Sequence, residues 1–360
     1  MTSTLPNQAE KIRNRAALIE VIGGYMASQA LSLAAELKIA DLIHDGVDTS
    51  TALAEATGSH EPSLLRLLRM LAAVGITTEP EPGRFGLSEV GDQLRTDSPN
   101  SLWAFTRFFT DQSLFSSWQS VGHTIKTGEC AFDHVHGKNA YVHLSEQPEL
   151  SALFNYAMSQ ESRISAGQVA DGIDFSDVKT VVDIGGGDGT LLKAILTAHP
   201  HLTGVVFDSA SGVAEAPGVL AEAGLTDRCE VVAGDFFSSV PDGGDLYIIK
   251  SVFQDWDNEP AANLLRTVRE HMPANATLLI VGSVLTDTAT TDEPVMFLTD
   301  ANMLVTAGGR ERTESEFRAL LEETGFTVES VGRNAAGPLS IIKAVPAEAS
   351  SCHCCHATES

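Results

Sequence analysis

The residues whose types and spacing best suit chemistry lie in a glycine-rich segment, VVDIGGGDGTLL, at residues 181–192. An apolar run ends in Asp183, and three glycines follow at Gly185, Gly187 and Gly189 before a helix-like stretch. The pattern predicts a buried strand that turns into a helix, where glycine allows unusual backbone angles and close approach of a ligand. The helix start would offer free N–H groups and a positive dipole end. The spacing and the preceding acid favour a nucleoside with a charged amino-acid tail, although a tight turn that binds nothing has the same pattern.

Polar residues also follow three later apolar runs. Asp208 closes LTGVVFD, and an acid about 20 residues beyond the glycine loop suits the hydroxyls of a ribose, or else caps the next helix. Asp235 and Phe236, in GDFF, suit an adenine through its amine and its flat face, or else form a simple turn. Lys250 ends the run DLYIIK, from which it could reach the same ligand.

The segment SVFQDWDNEP at residues 251–260 comes next. Gln254 occupies a position from which a side chain would meet a substrate, and its amide can exchange hydrogen bonds but cannot take up a proton at neutral pH. Asp255 and Asp257 could act as bases, or could cap the helix that follows. Trp256, in the predicted loop, could form a pocket wall.

Alternating strands and helices after about residue 178 would position these groups. The alternation predicts a parallel sheet with helices on both faces, and the closely spaced runs TVESVG and PLSIIKAV predict a hairpin at its edge. Ligands of such sheets bind beyond the carboxyl ends of the strands. We therefore expect the residues described above to meet along one edge.

The first 170 residues are predicted to be mostly helical. Apolar spacing indicates helices over residues 11–75, and GRFGLSEVG, residues 83–91, predicts a short hairpin that would complete a winged-helix arrangement. The second helix of this arrangement is leucine-rich, which favours dimerisation or covering of a substrate over DNA binding and regulation. Residues 100–170 are rich in aromatic side chains, which could form core packing, a wall for a flat substrate, or both.

Composition narrows the possible partners. The chain has 360 residues and a formal net charge of −25, which argues against nucleic acid because the field would repel it. We find no apolar run of membrane-spanning length and no signal peptide, so we expect a cytoplasmic protein without a membrane partner. The expected regions are a winged helix at 11–100, a helical linker and pocket region at 101–170, a sheet domain at 171–346 and a tail at 347–360.

The tail is unusual because it ends SSCHCCHATES. Thiolates and imidazoles together suit zinc or copper(I), although adjacent residues cannot easily close a tetrahedral site. The tail is therefore a possible metal site or a disordered segment without function. The candidate ligands are Cys352, His353, Cys354, Cys355 and His356.

The glycine loop, Asp208, GDFF, the QDW segment and GGRERTESEFRALLEETGF together resemble the S-adenosylmethionine-dependent O-methyltransferases of the caffeic-acid type. The similarity runs in order over residues 15–345 and points to the bacterial branch that tailors aromatic polyketides, which also includes aclacinomycin 10-hydroxylase-like proteins. It implies an α/β fold, with a Rossmann-like, doubly wound and mostly parallel sheet after an all-helical, winged-helix-like dimerisation domain. It also implies a homodimer and an aromatic small-molecule substrate.

The resemblance implies roles for individual residues as well. S-adenosylmethionine would contact Asp183, Gly185, Gly187, Asp208, Asp235, Phe236 and Lys250. The substrate would lie near Trp256, Asn302, Met303, Phe154 and Met158. One departure matters, because Gln254 stands where the family usually has the histidine that deprotonates the substrate.

The missing base bears on the reaction. General base catalysis contributes about 10²–10⁴-fold, whereas alignment can contribute more. We therefore expect an O-methyltransferase that transfers the methyl group in line to an acidic aromatic hydroxyl, driven by proximity, with Gln254 orienting the hydroxyl. The alternative is a protein of the same fold that binds the cofactor without methylating, and catalyses hydroxylation, decarboxylation or a rearrangement.

Overall fold

The computed structural model describes residues 8–333 and 339–348, which form two compact units. The first unit comprises Met1–Ser116 and Gln147–Glu161, and the second comprises Ser117–Glu146 and Ser162–Ser360. The region 101–170, expected as one helical linker, is thus divided between the two units. The tail ligands proposed from the sequence, residues 352–356, lie outside the described residues. Among the residues that are described, no cluster of three or more His, Cys, Asp or Glu side chains could hold a metal ion.

The first unit combines helices with one small hairpin. Its elements, in chain order, are α1 (Gln8–Glu36), α2 (Ile39–His44), α3 (Ser50–Thr57), α4 (Glu61–Ala73), β1 (Thr77–Glu81), β2 (Arg84–Leu87), α5 (Glu89–Asp92) and α6 (Trp103–Phe109). The unit boundaries fall within α7 (Gln112–Gln119) and α11 (Pro148–Gly172). Leu53, Leu68, Leu71 and Phe85 are almost fully buried and form its core.

The hairpin differs from the sequence prediction. It spans residues 77–87 rather than 83–91, and its antiparallel strands β1 and β2 mean that the domain is not all-helical. The first strand, TTEPE, has no alternation of apolar and polar residues, so no period-2 pattern predicted it. The end of the predicted segment is helical because the Ser88 hydroxyl accepts a hydrogen bond from the Gly91 N–H and caps α5.

Helix α1 exposes many apolar side chains. Ile12, Leu18, Ile19, Val21, Ile22, Tyr25, Met26 and Leu33 are all more than 40 % exposed. Contrary to our expectation, the stretch Glu10–Glu36 is long and apolar enough to cross a membrane, with a mean hydropathy of 1.3. Core helices and signal sequences share this composition. The helix therefore has an apolar surface that its own chain leaves uncovered.

The second unit is built on an eight-stranded sheet. Its strands are β3 (Thr180–Ile184), β4 (Thr203–Asp208), β5 (Cys229–Ala233), β6 (Leu246–Lys250), β7 (Thr277–Leu285), β8 (Arg312–Thr313), β9 (Phe326–Arg333) and β10 (Leu339–Pro346). The order is β5-β4-β3-β6-β7-β10-β9, with β8 beside β7. Strands β3 to β7 are parallel, and β10 is antiparallel to β7 and β9, which confirms the predicted edge hairpin.

Helices cover both faces of this sheet. They are α12 (Thr190–Ala198), α13 (Ala216–Glu222), α14 (Asn258–His271), α15 (Pro294–Thr306) and α16 (Glu314–Glu323). Neighbouring strand residues belong to opposite cores: Val181 packs with α12 and α13, whereas Val182 packs with α14 and α16. The strand order reverses between β3 and β6, so a ligand-binding crevice is expected beyond the ends of these two strands.

Three short helices also belong to the second unit. They are α8 (Val121–Thr127), α9 (Ala131–His136) and α10 (Ala140–Ser145). Helices α8 and α9 pack against α15. Although the segment Ser117–Glu146 is flanked along the chain by the first unit, it is a part of the second.

Candidate active site

The glycine loop begins where β3 ends. Gly185 has a φ of +75°, and a Cβ there would lie 2.5 Å from Cγ2 of Val252, so a side chain would be both strained and crowded. Gly187 also has a positive φ, of +54°, but a Cβ there would meet nothing within 4 Å. The space beside Gly187 is therefore open to a ligand at the carboxyl edge of the sheet.

Asp208 is held against this loop. Its Oδ2 accepts a hydrogen bond from the Gly187 N–H at 3.0 Å, and its Oδ1 accepts one from the Ser209 N–H at 2.6 Å. The helix that follows begins at Ala216 and has Glu215 at its N-cap. Asp208 therefore does not cap that helix, and it remains available as the predicted ribose contact.

Asp183 carries a buried and unsatisfied carboxyl. The residue is only 1 % exposed, and its Oδ2 has no hydrogen-bond partner. Burial raises its pKa to about 7, opposed by the positive charge of Lys250 and reinforced by Asp208 and Asp188. The Lys250 ammonium donates a hydrogen bond to the Ser162 hydroxyl at 3.2 Å. An unpaired acid next to an open glycine loop fits a ligand that carries hydrogen-bond donors and positive charge.

Asp235 forms the turn that was the alternative interpretation of GDFF. Its Oδ1 accepts a hydrogen bond from the Phe237 N–H, and its Oδ2 accepts one from the Ser238 hydroxyl, both at 2.9 Å. Phe236 and Phe237 meet the Trp256 ring edge to face, with centroids 6.2 and 4.8 Å away. The predicted adenine-binding residues thus join the predicted pocket wall in one aromatic cluster.

The Gln254 side chain is fixed by its own loop. Its Nε2 donates a hydrogen bond to the Ser251 carbonyl at 2.8 Å, and Ser251 has a φ of +56°. Among the described residues, the Gln254 amide oxygen has no hydrogen-bond partner. Without breaking the loop contact, this amide can offer a ligand its oxygen as an acceptor and its second N–H as a donor.

Two residues of GGRERT hold that loop in place. A Cβ at Gly309 would lie 2.1 Å from the Gln254 carbonyl oxygen, so only glycine fits. Arg312 is 1 % exposed and donates hydrogen bonds at 2.9 Å to the carbonyls of Phe253 and Trp256. Burial and, to a smaller extent, the nearby Arg310 lower its pKa to about 10. Sequence reasoning missed Arg312 because a charged run ordinarily indicates a solvated surface.

A second missed residue, Glu311, lines the same small cavity as Gln254. Glu311 is 5 % exposed. Burial raises its pKa to about 8, with further increases from Asp300 and Asp255, while Arg312 lowers it. A carboxyl with such a pKa can accept a proton near neutral pH. In the sequence, Glu311 stood out only as a member of GGRERT, one of the segments that carry the family resemblance.

The remaining predicted residues lie in different places. Asp257 caps α14, since its carboxyl accepts from the Asn258 N–H, whereas Asp255 accepts a hydrogen bond from the Tyr141 hydroxyl at 2.7 Å. Burial raises the pKa of Asp255 to about 7, opposed by that hydrogen bond.

The predicted substrate residues are divided between the units. Asn302 and Met303 are half-buried on α15 of the second unit, where the Asn302 Oδ1 accepts from the Trp118 Nε1–H at 2.9 Å. Phe154 and Met158 lie on α11 in the first unit, and the Phe154 ring lies 5.0 Å from that of Phe108.

A glycine loop at the switch point of a doubly wound sheet, followed by acids on the next strands, defines a nucleoside-cofactor-binding α/β protein. Comparisons with known proteins specify the family. The chain matches the O-methyltransferase domain over residues 118–327 and the O-methyltransferase dimerisation domain over residues 19–97. It belongs to the S-adenosylmethionine-dependent O-methyltransferases of the caffeic-acid type, in the bacterial branch that tailors aromatic secondary metabolites.

Individual relatives agree with this assignment. The chain is 44 % identical to O-demethylpuromycin-O-methyltransferase of Streptomyces alboniger, over 91 % of this chain and 88 % of the relative. It is similar to the mitomycin 7-O-methyltransferase MmcR, with a TM-score of 0.87 and 36 % identity, covering 95 % of this chain and all of the other.

A solved complex also bears on the cofactor. The O-methyltransferase NcsB1 from neocarzinostatin biosynthesis, bound to S-adenosylmethionine and 2-hydroxy-5-methyl naphthoic acid, has a TM-score of 0.76 and 32 % identity, covering 89 % of this chain and 96 % of the other. The cofactor of this family is S-adenosylmethionine, which confirms the cofactor predicted from the sequence.

Proposed function

We propose that this enzyme methylates an acidic hydroxyl of an aromatic, polyketide-like secondary metabolite, with Gln254 as an orienting amide in place of a histidine base. The observation that carries the proposal is the hydrogen bond from the Gln254 Nε2 to the Ser251 carbonyl. It fixes the amide and leaves its second N–H able to donate a hydrogen bond to the oxygen of the substrate hydroxyl. Gln254 would thus align the acceptor without taking its proton.

Glu311 supplies the proton acceptor in this proposal. It lines the same cavity as Gln254, and its raised pKa of about 8 means that a substantial fraction is ionised near pH 8. When bound, S-adenosylmethionine supplies a methyl group whose bond to sulfur breaks as the bond to the acceptor oxygen forms. The proton released by the hydroxyl passes to Glu311.

The cofactor would lie along the glycine loop. Gly185 and Gly187 admit its close approach, Asp208 is positioned for the ribose, and the unpaired Asp183 oxygen suits a donor of its charged tail. Asp235, Phe236 and Lys250 complete the set predicted for the cofactor. Trp256, Asn302 and Met303 would contact the aromatic substrate, and the contributions of Phe154 and Met158 stay predictions.

The test uses Gln254→His and Gln254→Ala, with formation of S-adenosylhomocysteine measured against a panel of aromatic phenols. We expect the wild type to form S-adenosylhomocysteine with at least one phenol. Gln254→Ala should lower kcat/KM by about tenfold or more, because the contact that aligns the hydroxyl is lost. Thr197→Ala, on the surface of α12, is the control and should change nothing. A faster Gln254→His enzyme would show that a base is simply missing, whereas its loss of activity would assign glutamine a positive role.

One outcome would overturn the proposal. If the wild type binds S-adenosylmethionine but methylates no acceptor, the non-methylating alternative, a hydroxylase, decarboxylase or rearrangement catalyst, replaces it. Product identification by mass spectrometry on the same reactions separates those chemistries.

We also propose that the enzyme is a cytoplasmic homodimer in which a second copy covers the apolar face of α1. The match to the dimerisation domain over residues 19–97 includes the second half of this helix. The uncovered apolar side chains lie on both sides of residue 19, so a partner along the whole helix would bury them.

A further inference from the structure

The segment Ser117–Glu146, which we name the strap, joins two stretches of the first unit but packs within the second. Two side chains fix its first half to α15. The Trp118 Nε1–H donates to the Asn302 Oδ1 at 2.9 Å, and the Cys130 thiol donates to the Val305 carbonyl at 3.4 Å. The second half of the strap, which contains α10, contacts a different part of the second unit.

Tyr141 of α10 connects the strap to the Gln254 loop. Its hydroxyl donates to the Asp255 Oδ2 at 2.7 Å, and its ring lies nearly parallel to that of Trp256, at 15° and 6.1 Å between centroids. The residue keeps 41 % of its surface exposed. One side of the ring therefore faces outward, while the hydroxyl points to the loop that carries the substrate-orienting amide.

The Trp256 ring, against which Tyr141 lies, also meets Phe236 and Phe237 edge to face. Burial and Asp255 raise the pKa of Tyr141, and Asp208 is near enough for its charge to raise it further. Asp208 accepts the Gly187 N–H of the glycine loop. Tyr141 therefore joins the strap to the loop after β6 and, through the Trp256 ring, to the aromatic cluster that contains the predicted adenine contact Phe236.

We propose that the strap is a lid over the S-adenosylmethionine cleft, and that the hydrogen bond from Tyr141 to Asp255 is its latch. Tyr141 is a positioning residue: it holds α10 against the loop that carries Gln254 and Trp256. Cofactor entry and product release require this contact to open. The inference rests on the cofactor of the family and is independent of which acceptor is methylated.

The experiment measures release of S-adenosylhomocysteine by stopped-flow fluorescence, with no acceptor present. We expect Tyr141→Phe, which keeps the ring and removes the donor, to release the product about tenfold faster, since a hydrogen bond to a charged group is lost. Tyr25→Phe, which removes the hydroxyl of an exposed tyrosine on α1, should release it at the wild-type rate.

A double-mutant cycle separates a latch from a general structural effect. Asp255→Ala should accelerate release like Tyr141→Phe, and the double variant should be no faster than either, because all three lack the same contact. Hydrogen exchange of the α10 amides should quicken in all three. Additive effects, or an unchanged release rate in a Tyr141→Phe enzyme that unfolds at the wild-type temperature, would overturn the proposal. Because no methyl transfer is measured, this result is separate from the test of Gln254.

Discussion

At the scale of single residues, burial that outweighs the nearby positive charges sets the chemistry of this enzyme. Asp183, Asp255 and Glu311 all have pKa values raised to about 7 or 8, chiefly by burial. Each carboxyl is costly to ionise in the folded state, so each is poised to exchange a proton near neutral pH. Gln254 differs because its amide does not titrate. The site therefore separates alignment by an amide from proton transfer by a carboxyl.

We predict that Glu311 makes the enzyme less stable as pH rises. A glutamate in the unfolded chain has a pKa of about 4.3. The folded state, with its value of about 8, binds more protons between these limits, so the free energy of unfolding falls across this range and levels off above pH 8. Glu311→Gln removes this penalty. The free energy of unfolding should therefore rise at pH 8.5, by up to about 5 kcal/mol, and stay nearly unchanged at pH 4.5.

Urea unfolding of both proteins at the two pH values measures this effect. Glu314→Gln, at an exposed position of α16, serves as the control and should keep the wild-type pH slope. An equal slope in Glu311→Gln and the wild type would contradict the prediction. Asp183 and Asp255 still titrate in both proteins. The dependence of the free energy of unfolding on pH therefore becomes weaker in Glu311→Gln but does not disappear.

At the scale of elements, the short strand β8 positions the Gln254 loop. Arg312 begins β8 and donates to the carbonyls of Phe253 and Trp256 at the two sides of Gln254. Gly309 lets the chain before β8 approach the same loop. The GGRERT segment therefore places Glu311 at the cavity and, through Arg312, fixes the loop that carries Gln254.

We predict that Arg312→Met destabilises the protein and slows catalysis together. Two backbone carbonyls lose their partner, and each such loss costs about 1–3 kcal/mol, so the free energy of unfolding should fall by about 2–4 kcal/mol. The value of kcat should fall more than KM rises, since the Gln254 loop loses its clamp.

The matched control is Arg318→Met on α16, where an exposed pair with Glu314 is lost and the cost should stay below about 1 kcal/mol. Chemical denaturation and steady-state kinetics measure both variants. Normal kcat in a destabilised Arg312→Met enzyme would show that the clamp does not position the loop.

At the scale of the whole molecule, the main feature is the apolar face of α1, which is exposed in a single chain. Ile22 is 60 % exposed on this helix, among seven other exposed apolar side chains. A bilayer and a second copy could both cover such a face. The overlap with the dimerisation domain favours the second copy.

We predict that Ile22→Glu dissociates the proposed homodimer. A charge placed in a buried apolar interface without a partner costs several kcal/mol, which exceeds what one side-chain contact contributes. Light scattering over a range of protein concentrations should show a shift from dimer to monomer. Ile125→Glu, the same change at an exposed isoleucine of the strap, should remain dimeric. A detergent requirement for the wild type, with sedimentation alongside membranes, would instead assign α1 to a bilayer.

The sequence by itself determined the fold class, the family and the cofactor. The fold class follows from local patterns: apolar runs of strand length, glycines at a strand-to-helix turn, and an acid at the end of the next strand. The family, and with it the cofactor, follows from the resemblance that several such segments carry together. Each signal lies within a few residues, where backbone geometry limits the residue types that fit. The same reasoning missed strand β1, because its residues show no apolar alternation.

Only the tertiary structure decided which charged residues are buried and what they contact. Glu311 and Arg312 look like surface residues in the run RERTESE, and Tyr141 looks like one aromatic among many. In the fold, Arg312 and Tyr141 contact chain segments that are 59 and 114 residues away. The pKa of a carboxyl and the orientation of an amide depend on those distant neighbours, through desolvation and hydrogen bonding. Local patterns therefore specify the cofactor site, whereas packing between distant segments decides how the proton and the substrate are handled.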